Sequence, residues 1–334
     1  MDPHLNDSSK RVYVAEHIVH CRKSKKFYNQ MKLSSEMCKR DSDILGLCFD
    51  FMSVTDLPKI PVQETYYFRQ LSVNNFGIHN LGENSCTCYV YHEGITRKTP
   101  DDVCSFLNHY LLNFVRDKTY KELHLFADNC AGQNKNHALV RFVMALVELK
   151  KIETVKVFFP QRGHSFLPCD RDFALIKKKL AKMESLYTID EYVEKCILEA
   201  SNVEGKFKVY NVGLTDTKDF QKWYPKYYVK HSKSISSTMR VNFNISKYHY
   251  FEVSSQTPGS IKTSEYIGGL VNAMFNLRKT TKEPFNLPIL PVSSSKNPIS
   301  TLKMDDLKSL QKYIPPYPPQ FKEFWGDLLQ WPTC

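Results

Sequence analysis

The sequence lacks any stretch of the roughly 20 apolar residues that a membrane-spanning helix requires. Its N-terminus, MDPHLNDSSKR, does not have the pattern of a signal peptide. The ten cysteines form no Cys-x-x-Cys pair, which argues against a zinc ribbon. Several of them lie in apolar, strand-like runs, where a free thiol behaves as a small hydrophobic group. We therefore expect a reducing intracellular compartment, nuclear or cytoplasmic, and neither a membrane nor a small-molecule cofactor as partner.

Acidic residues are outnumbered by basic ones. The 35 Asp and Glu residues against 46 Lys and Arg give a formal net charge of +11, which favours a polyanionic partner, nucleic acid first. Many basic proteins bind no nucleic acid, so charge alone does not decide. The 334 residues, 42% of them hydrophobic, predict a packed core in one large domain with an appendage, or in two domains.

Apolar runs and helical patterns alternate between residues 44 and about 180. Strands are predicted at residues 44–49, 66–78, 86–91, 123–127 and 155–159. Helices are predicted after Thr99-Pro100, after Asn134 or Asn136, and from about Pro168. The order of three strands, helix, strand, helix, strand and helix resembles the ribonuclease H-like core, whose fourth strand lies parallel beside the first.

The predicted fold class is therefore α/β: a ribonuclease H-like, mixed five-stranded sheet with flanking helices, plus a smaller α+β C-terminal region. Four segments are predicted. Residues 1–43 form a basic helical N-terminal segment, and residues 44–200 form the ribonuclease H-like core. Residues 201–283 form a lysine- and aromatic-rich α+β region, within which 266–277 is read as a helix or a mixed segment. Residues 284–334 form a linker and a helical C-terminal tail.

Three aspartates each follow a short apolar run: Asp50 in LGLCFDF, Asp128 in ELHLFADN and Asp170 in GHSFLPCD. The carboxyl ends of adjacent parallel strands meet at one edge of a sheet, so Asp50 and Asp128 are expected to be neighbours. Converging carboxylates suit two Mg²⁺ or Mn²⁺ ions, the usual arrangement for phosphodiester chemistry. Each aspartate can equally be a turn former or a helix cap. Helical phase does not choose between Asp170 and Asp172 as the third acid.

His164 lies near the same predicted edge, where it can orient water or substrate, or act only as a hydrogen-bonded loop residue. A zinc site made of Cys130, His164 and Cys169 matches no known spacing, and packing explains these residues better. Other polar and basic side chains are candidates for contacts with a nucleic-acid backbone or, equally, for helix capping and solvated faces. These candidates are Gln133, Asn134, Lys135, Arg162, Lys226 and Lys230.

One competing class of nuclease is disfavoured. Proofreading-type exonucleases of this general fold carry Asp-x-Glu on the first strand, whereas here Asp50 is followed by Phe51 and Met52. Three segments resemble a transposon-derived family of unknown function. They are ELHLFADNCAGQNKNHALVRFVMALVE, FFPQRGHSFLPCDRDFALIKKKL and FDFMSVTDLPKIPVQETYYFRQLSVNNFGIH. The catalytic domain of that family is similar to the ribonuclease H-like core of DDE-type transposases.

That resemblance implies Asp50, Asp128 and Asp170 as metal-binding and catalytic acids, His164 as the histidine of a GH[ST]-x4-D pattern, and DNA as substrate. The sequence departs from the family in its short N-terminal segment, which suggests a truncated or host-retained copy that has lost a DNA-binding domain. The third acid is aspartate where many such enzymes have glutamate. An active transposase-like enzyme, an inactive binding remnant and a purely structural use of the acids all stay open, as does assembly into a homo-oligomer.

Overall fold

The computed structural model describes residues 6–115, 120–235, 241–270, 273–293 and 295–334. Ten strands in these ranges form one mixed sheet. They are β1 (Ile44–Phe51), β2 (Thr55–Leu57), β3 (Leu71–Asn80), β4 (Ser85–His92), β5 (Glu122–Phe126), β6 (Thr154–Phe158), β7 (Phe207–Asn211), β8 (Tyr250–Ser254), β9 (Ser260–Ser264) and β10 (Ala273–Asn276).

Eight α-helical segments accompany the sheet in the same ranges, giving a mixed α/β architecture. They are α1 (Asp7–Arg40), α2 (Pro100–Asn113), α3 (His137–Glu148), α4 (Pro168–Lys182), α5 (Ile189–Glu191), α6 (Phe220–Tyr227), α7 (Thr301–Leu310) and α8 (Pro319–Leu329). None of these helices combines the length and the apolar character needed to cross a bilayer.

The centre of the sheet contains the five predicted strands in the order β6-β5-β1-β3-β4. β1, β3 and β4 form an antiparallel meander, while β5 lies parallel beside β1 and β6 parallel beside β5. The expected neighbours are therefore observed. The second strand is predicted to begin at residue 66, but residues 63–67 form a 3₁₀ helix with Tyr66 and Tyr67 exposed, and β3 begins at Leu71. Aromatic content alone did not distinguish that turn from a strand.

The sheet is larger than the five strands predicted. β7 pairs in parallel with β4 at one edge, β2 pairs with β3, and β8, β9 and β10 extend antiparallel from β6 at the other edge. The region 201–283 thus contributes strands to both edges of the central sheet. Part of the segment 266–277, read as a helix or mixed segment, is the strand β10. Short edge strands carry an apolar pattern that does not reveal their pairing partner.

The two faces of the sheet are covered by different helices. α2, α3 and α6 pack on one face, and α3 is buried from Ala138 to Val147 because it lies between the sheet and its two helical neighbours. α1 and α4 cover the opposite face, where Phe27 and Phe173 join the second core. A third apolar cluster joins α7 and α8 to the start of β3.

The absence of a side chain at Gly77 in β3 allows α4 to pack closely on the sheet. Gly77 pairs with Asp50, and a Cβ atom at Gly77 would lie 2.7 Å from the ring of Phe173. The missing side chain therefore lets α4 lie tightly over β3, which brings the first turn of α4 to the carboxyl edge of β1.

Candidate functional site: an acidic cluster at the sheet edge

Asp50 and Asp128 emerge at the same edge of the sheet. In the parallel pair of β1 and β5, Cys48 lies opposite Phe126, and each aspartate follows its member of this pair by two residues. Cys48 and Phe126 belong to the core under α1 and α4, so Asp50 is directed to the α4 side. Asp170 lies in the first turn of α4, and all three acids are half-buried.

The charges of two acids act on the third. Burial first, and then the negative charges of Asp128 and Asp170, raise the pKa of Asp50 to about 7 against hydrogen bonds that lower it. One of these hydrogen bonds comes from the Phe51 backbone N–H to Asp50 Oδ1 at 2.8 Å. Asp128 and Asp170 therefore lie within electrostatic range of Asp50, and the convergence of the three carboxylates on a shared cation stays a prediction.

The side chain of Asn134 forms hydrogen bonds with two of the acids. Its Nδ2 donates to Asp128 Oδ1 at 2.7 Å, and a hydrogen bond from the same side chain to Asp50 lowers the pKa of that acid. The Cys130 backbone N–H also donates to Asp128 Oδ1, at 2.9 Å. Asn134 is fully buried, so its side chain holds the acids in place instead of lying at the surface, where a nucleic-acid contact was predicted.

Asp170 and Asp172 have different surroundings. Asp170 Oδ2 accepts a hydrogen bond from the Leu167 backbone N–H at 2.7 Å, at the start of α4. Asp172 is buried between His79 Nδ1 and Lys206 Nζ, each 2.6 Å from one of its oxygens. Burial alone would raise the pKa of Asp172, but His79 and Lys206 more than offset this effect and lower it. Asp172 thus serves the core, and Asp170 is the candidate third acid.

The contacts recorded for His164 are with the N-terminal helix. Its ring lies 4.8 Å from the ring of His20, and its carbonyl oxygen accepts a hydrogen bond from the Tyr28 hydroxyl at 3.1 Å. The predicted role of His164 in orienting water or substrate stays a prediction.

The residues predicted to contact nucleic acid are spread over two regions. Gln133 is half-buried, Lys135 is buried and Arg162 is exposed, all near the acidic edge. Lys226 and Lys230 are exposed on or just after α6, which packs on the opposite face of the sheet through Phe220 and Trp223. These contacts with nucleic acid stay predictions.

Lys98 is a member of the site that the sequence did not indicate. Its Nζ donates to the Met52 carbonyl oxygen at 3.1 Å, and burial lowers its pKa while the charge of Asp50 raises it. Lys98 follows β4, and no spacing rule connects it with a residue at the end of β1. Only the three-dimensional structure brings this ammonium group near Asp50.

Carboxylate oxygens are the ligands that Mg²⁺ and Mn²⁺ prefer, so the chemistry of the three acids fits such ions. The backbone hydrogen bonds to Asp50, Asp128 and Asp170 each use one oxygen of the carboxylate. In the conformation described, however, no three or more His, Cys, Asp or Glu side chains among the described residues form a group that could hold a metal ion. The predicted pair of Mg²⁺ or Mn²⁺ ions therefore stays a prediction.

The chain belongs to the family described as domain of unknown function (DUF7869), which matches residues 64–260. The matched range contains Asp128 and Asp170 and begins after Asp50. No curated protein and no solved structure matches the chain. The family description assigns no activity, so a transposon origin and a ribonuclease H-like domain are not established by this membership.

The contrast between the two neighbouring acids of α4 is testable. We expect Asp172→Ala to lower the free energy of unfolding by about 3–5 kcal/mol, because it leaves His79 and Lys206 buried without their counter-charge. Asp170→Asn keeps an oxygen that can accept from Leu167 N–H and should cost less than about 1 kcal/mol. Urea unfolding at neutral pH measures both, and equal losses would contradict the assignment. The Asp172 contribution should disappear as the pH falls through its lowered pKa.

The raised pKa of Asp50 predicts a pH-dependent penalty. The unfolded chain releases this proton near 3.8 and the folded chain near 7, so folded protein binds more protons in this window and its stability falls as pH rises. With chelator present, Asp50→Asn should therefore be more stable than the parent by about 1–3 kcal/mol at pH 8, with the gain shrinking towards pH 4. The exposed Asp327→Asn is the matched control. A pH-independent difference would show that folding does not raise the pKa of Asp50.

Proposed function

We propose that this protein uses Asp50, Asp128 and Asp170 to bind divalent metal and to cleave or transfer DNA strands at a phosphodiester, in the manner of a transposase. The observation that carries the proposal is the electrostatic environment at the sheet edge, where burial and then the charges of Asp128 and Asp170 raise the pKa of Asp50. Carboxylates whose charges act on a half-buried acid favour the binding of a cation beyond what the nearby Lys98 supplies.

The proposal includes a ribonuclease H-like core and descent from a transposon. The order of the five central strands, with a meander followed by a strand parallel to β1, supports the core assignment. The resemblance of the segments around Asp128 and Asp170 to transposon-derived proteins supports the descent. The net charge of +11 supports DNA as the partner.

The chain's own residues prepare this site for a cation. Asn134 fixes the carboxylate of Asp128, and the cap at Leu167 fixes that of Asp170. Bound Mg²⁺ or Mn²⁺ supplies activation of the attacking oxygen and stabilisation of the leaving oxygen. Since Asp50 must lose its proton to bind a cation, its raised pKa makes metal affinity increase with pH up to about 7.

A second candidate function is a DNA- or protein-binding remnant without activity. The hydrogen bonds of Asp128 and Asp170 favour it, because they are also the bonds of ordinary turn and helix-cap residues. The absence of a metal-holding group among the described side chains points the same way. In this alternative exposed lysine and arginine side chains bind DNA, and the acids only form turns and helix caps.

Metal titration with thermal melting separates the two functions. Saturating Mn²⁺ should raise the melting temperature of the parent chain by several degrees, because it binds only the folded state. Asp50→Asn and Asp128→Asn should abolish this rise together with nicking of plasmid DNA, whereas Asp327→Asn should retain both. If the two site variants respond to Mn²⁺ and process DNA like the parent, the catalytic proposal is wrong. Salt-sensitive DNA binding without a metal response would support the remnant.

A further inference from the structure

A cleft of about 530 Å³ opens beside the acidic cluster. It lies at the carboxyl ends of β5 and β6, between the loop after β5 and the segment that precedes β8. Its polar wall residues are Asn129, Lys135, Gln161, Arg162, Ser246 and His249. Asn129 directly follows Asp128, and its Nδ2 donates to the Pro160 carbonyl oxygen, so the cleft and the acids share one short loop.

Lys135 is a buried cation for which the described part of the chain supplies no anionic partner. Only 7% of the residue is exposed, and its Nζ donates to the Ser246 carbonyl oxygen at 3.3 Å and lies 5.4 Å from the centre of the Phe159 ring. Within the described ranges no carboxylate forms an ion pair with it, and burial lowers its pKa to about 8. A lysine that is still mostly protonated at neutral pH and lacks a counter-charge favours an anion from solution.

Other basic groups face the same space. The ring of His249 donates from Nδ1 to the Phe159 carbonyl oxygen at 3.0 Å, and its pKa is lowered by burial and then by the charges of Lys135 and Lys23. The guanidinium-bearing Arg162 is exposed at the rim. The lowered pKa of His249 leaves its ring uncharged near neutral pH, so the positive charges of the cleft are those of Lys135 and Arg162, and a bound anion would compensate them.

We propose that this cleft binds a phosphate group of a nucleic-acid strand, with Lys135 as the buried cation and Arg162 at the rim. The inference rests on the proposed function in one respect: it gives the strand that reaches the acids a second anchoring point on the far side of Asn129. A buried ammonium and a guanidinium are the donors that phosphate oxygens prefer. The site provides affinity without reading the base sequence.

The test measures binding of a fluorescently labelled single-stranded DNA oligonucleotide to the full chain in the presence of EDTA. Lys135→Met keeps the apolar stem and removes the charge, and we expect it to weaken binding about tenfold and to lower the salt slope by about one. Arg162→Met should weaken binding less, because its side chain is exposed. Lys322→Met, an exposed lysine of α8, removes the same charge far along the chain and should change the affinity less than about twofold.

Thermal melting checks that Lys135→Met is folded, and we expect this variant to melt no lower than the parent because a desolvated charge is gone. Should it fail to fold, the exposed Arg162→Met carries the test. If both variants bind the oligonucleotide as tightly as Lys322→Met does, the phosphate site does not exist.

Two further arms separate the source of the phosphate and the two proposals. Inorganic phosphate at millimolar concentration should compete weakly with the oligonucleotide, and competition as strong as that of an unlabelled strand would overturn the assignment to a strand. In EDTA, Lys135→Met should weaken binding of the oligonucleotide by the same factor in the Asp50→Asn background as in the parent chain. If the parent chain shows no metal-dependent cleavage, the proposed function is wrong but the phosphate site in the cleft is unaffected. If Lys135→Met binds the oligonucleotide like the parent, the phosphate site is wrong but the proposed function is unaffected.

Discussion

The constraint around which the proposed site is organised is the unfavourable environment of the Asp50 carboxylate at the carboxyl edge of β1 and β5, where burial and the charges of Asp128 and Asp170 disfavour its ionised form. Separately, each acid has an ordinary local role in a strand end, a turn or a helix cap. Burial first, and then the charges of Asp128 and Asp170, raise the pKa of Asp50 to about 7, which means that the fold keeps this acid in place at a cost in stability. Folding tolerates this cost because the parallel pairing of β1 with β5 and the packing of α4 over Gly77 are fixed by large apolar cores.

A cleft with the opposite charge lies on the other side of Asn129. The loop after β5 and the approach to β8 bring Lys135 near the uncharged ring of His249, and Arg162 lies at the rim. The edge therefore presents adjacent regions of opposite sign. Cations on one side and phosphate on the other would compensate both charges, and a nucleic-acid strand with its divalent counterions supplies that combination.

Much of the central architecture was predictable from the sequence. Apolar, aromatic and β-branched runs identified the five central strands, although the second was predicted to begin too early, and the rule that parallel strands end together predicted Asp50 as a neighbour of Asp128. Helical phase could not separate Asp170 from Asp172, since that choice depends on His79 and Lys206, which come from a distant strand and loop. The edge strands that enlarge the sheet were not predictable, because their partners lie far along the chain. Burial of Lys135 was missed because a polar loop sequence predicts exposure.

The central claim is that the three acids jointly bind divalent cations. Anomalous X-ray diffraction from crystals of the chain grown with Mn²⁺ tests it most directly. The account predicts anomalous density within coordination distance of carboxylate oxygens of Asp50, Asp128 and Asp170, and its loss in Asp128→Asn. Well-ordered carboxylates with no manganese among them at saturating concentration would contradict it.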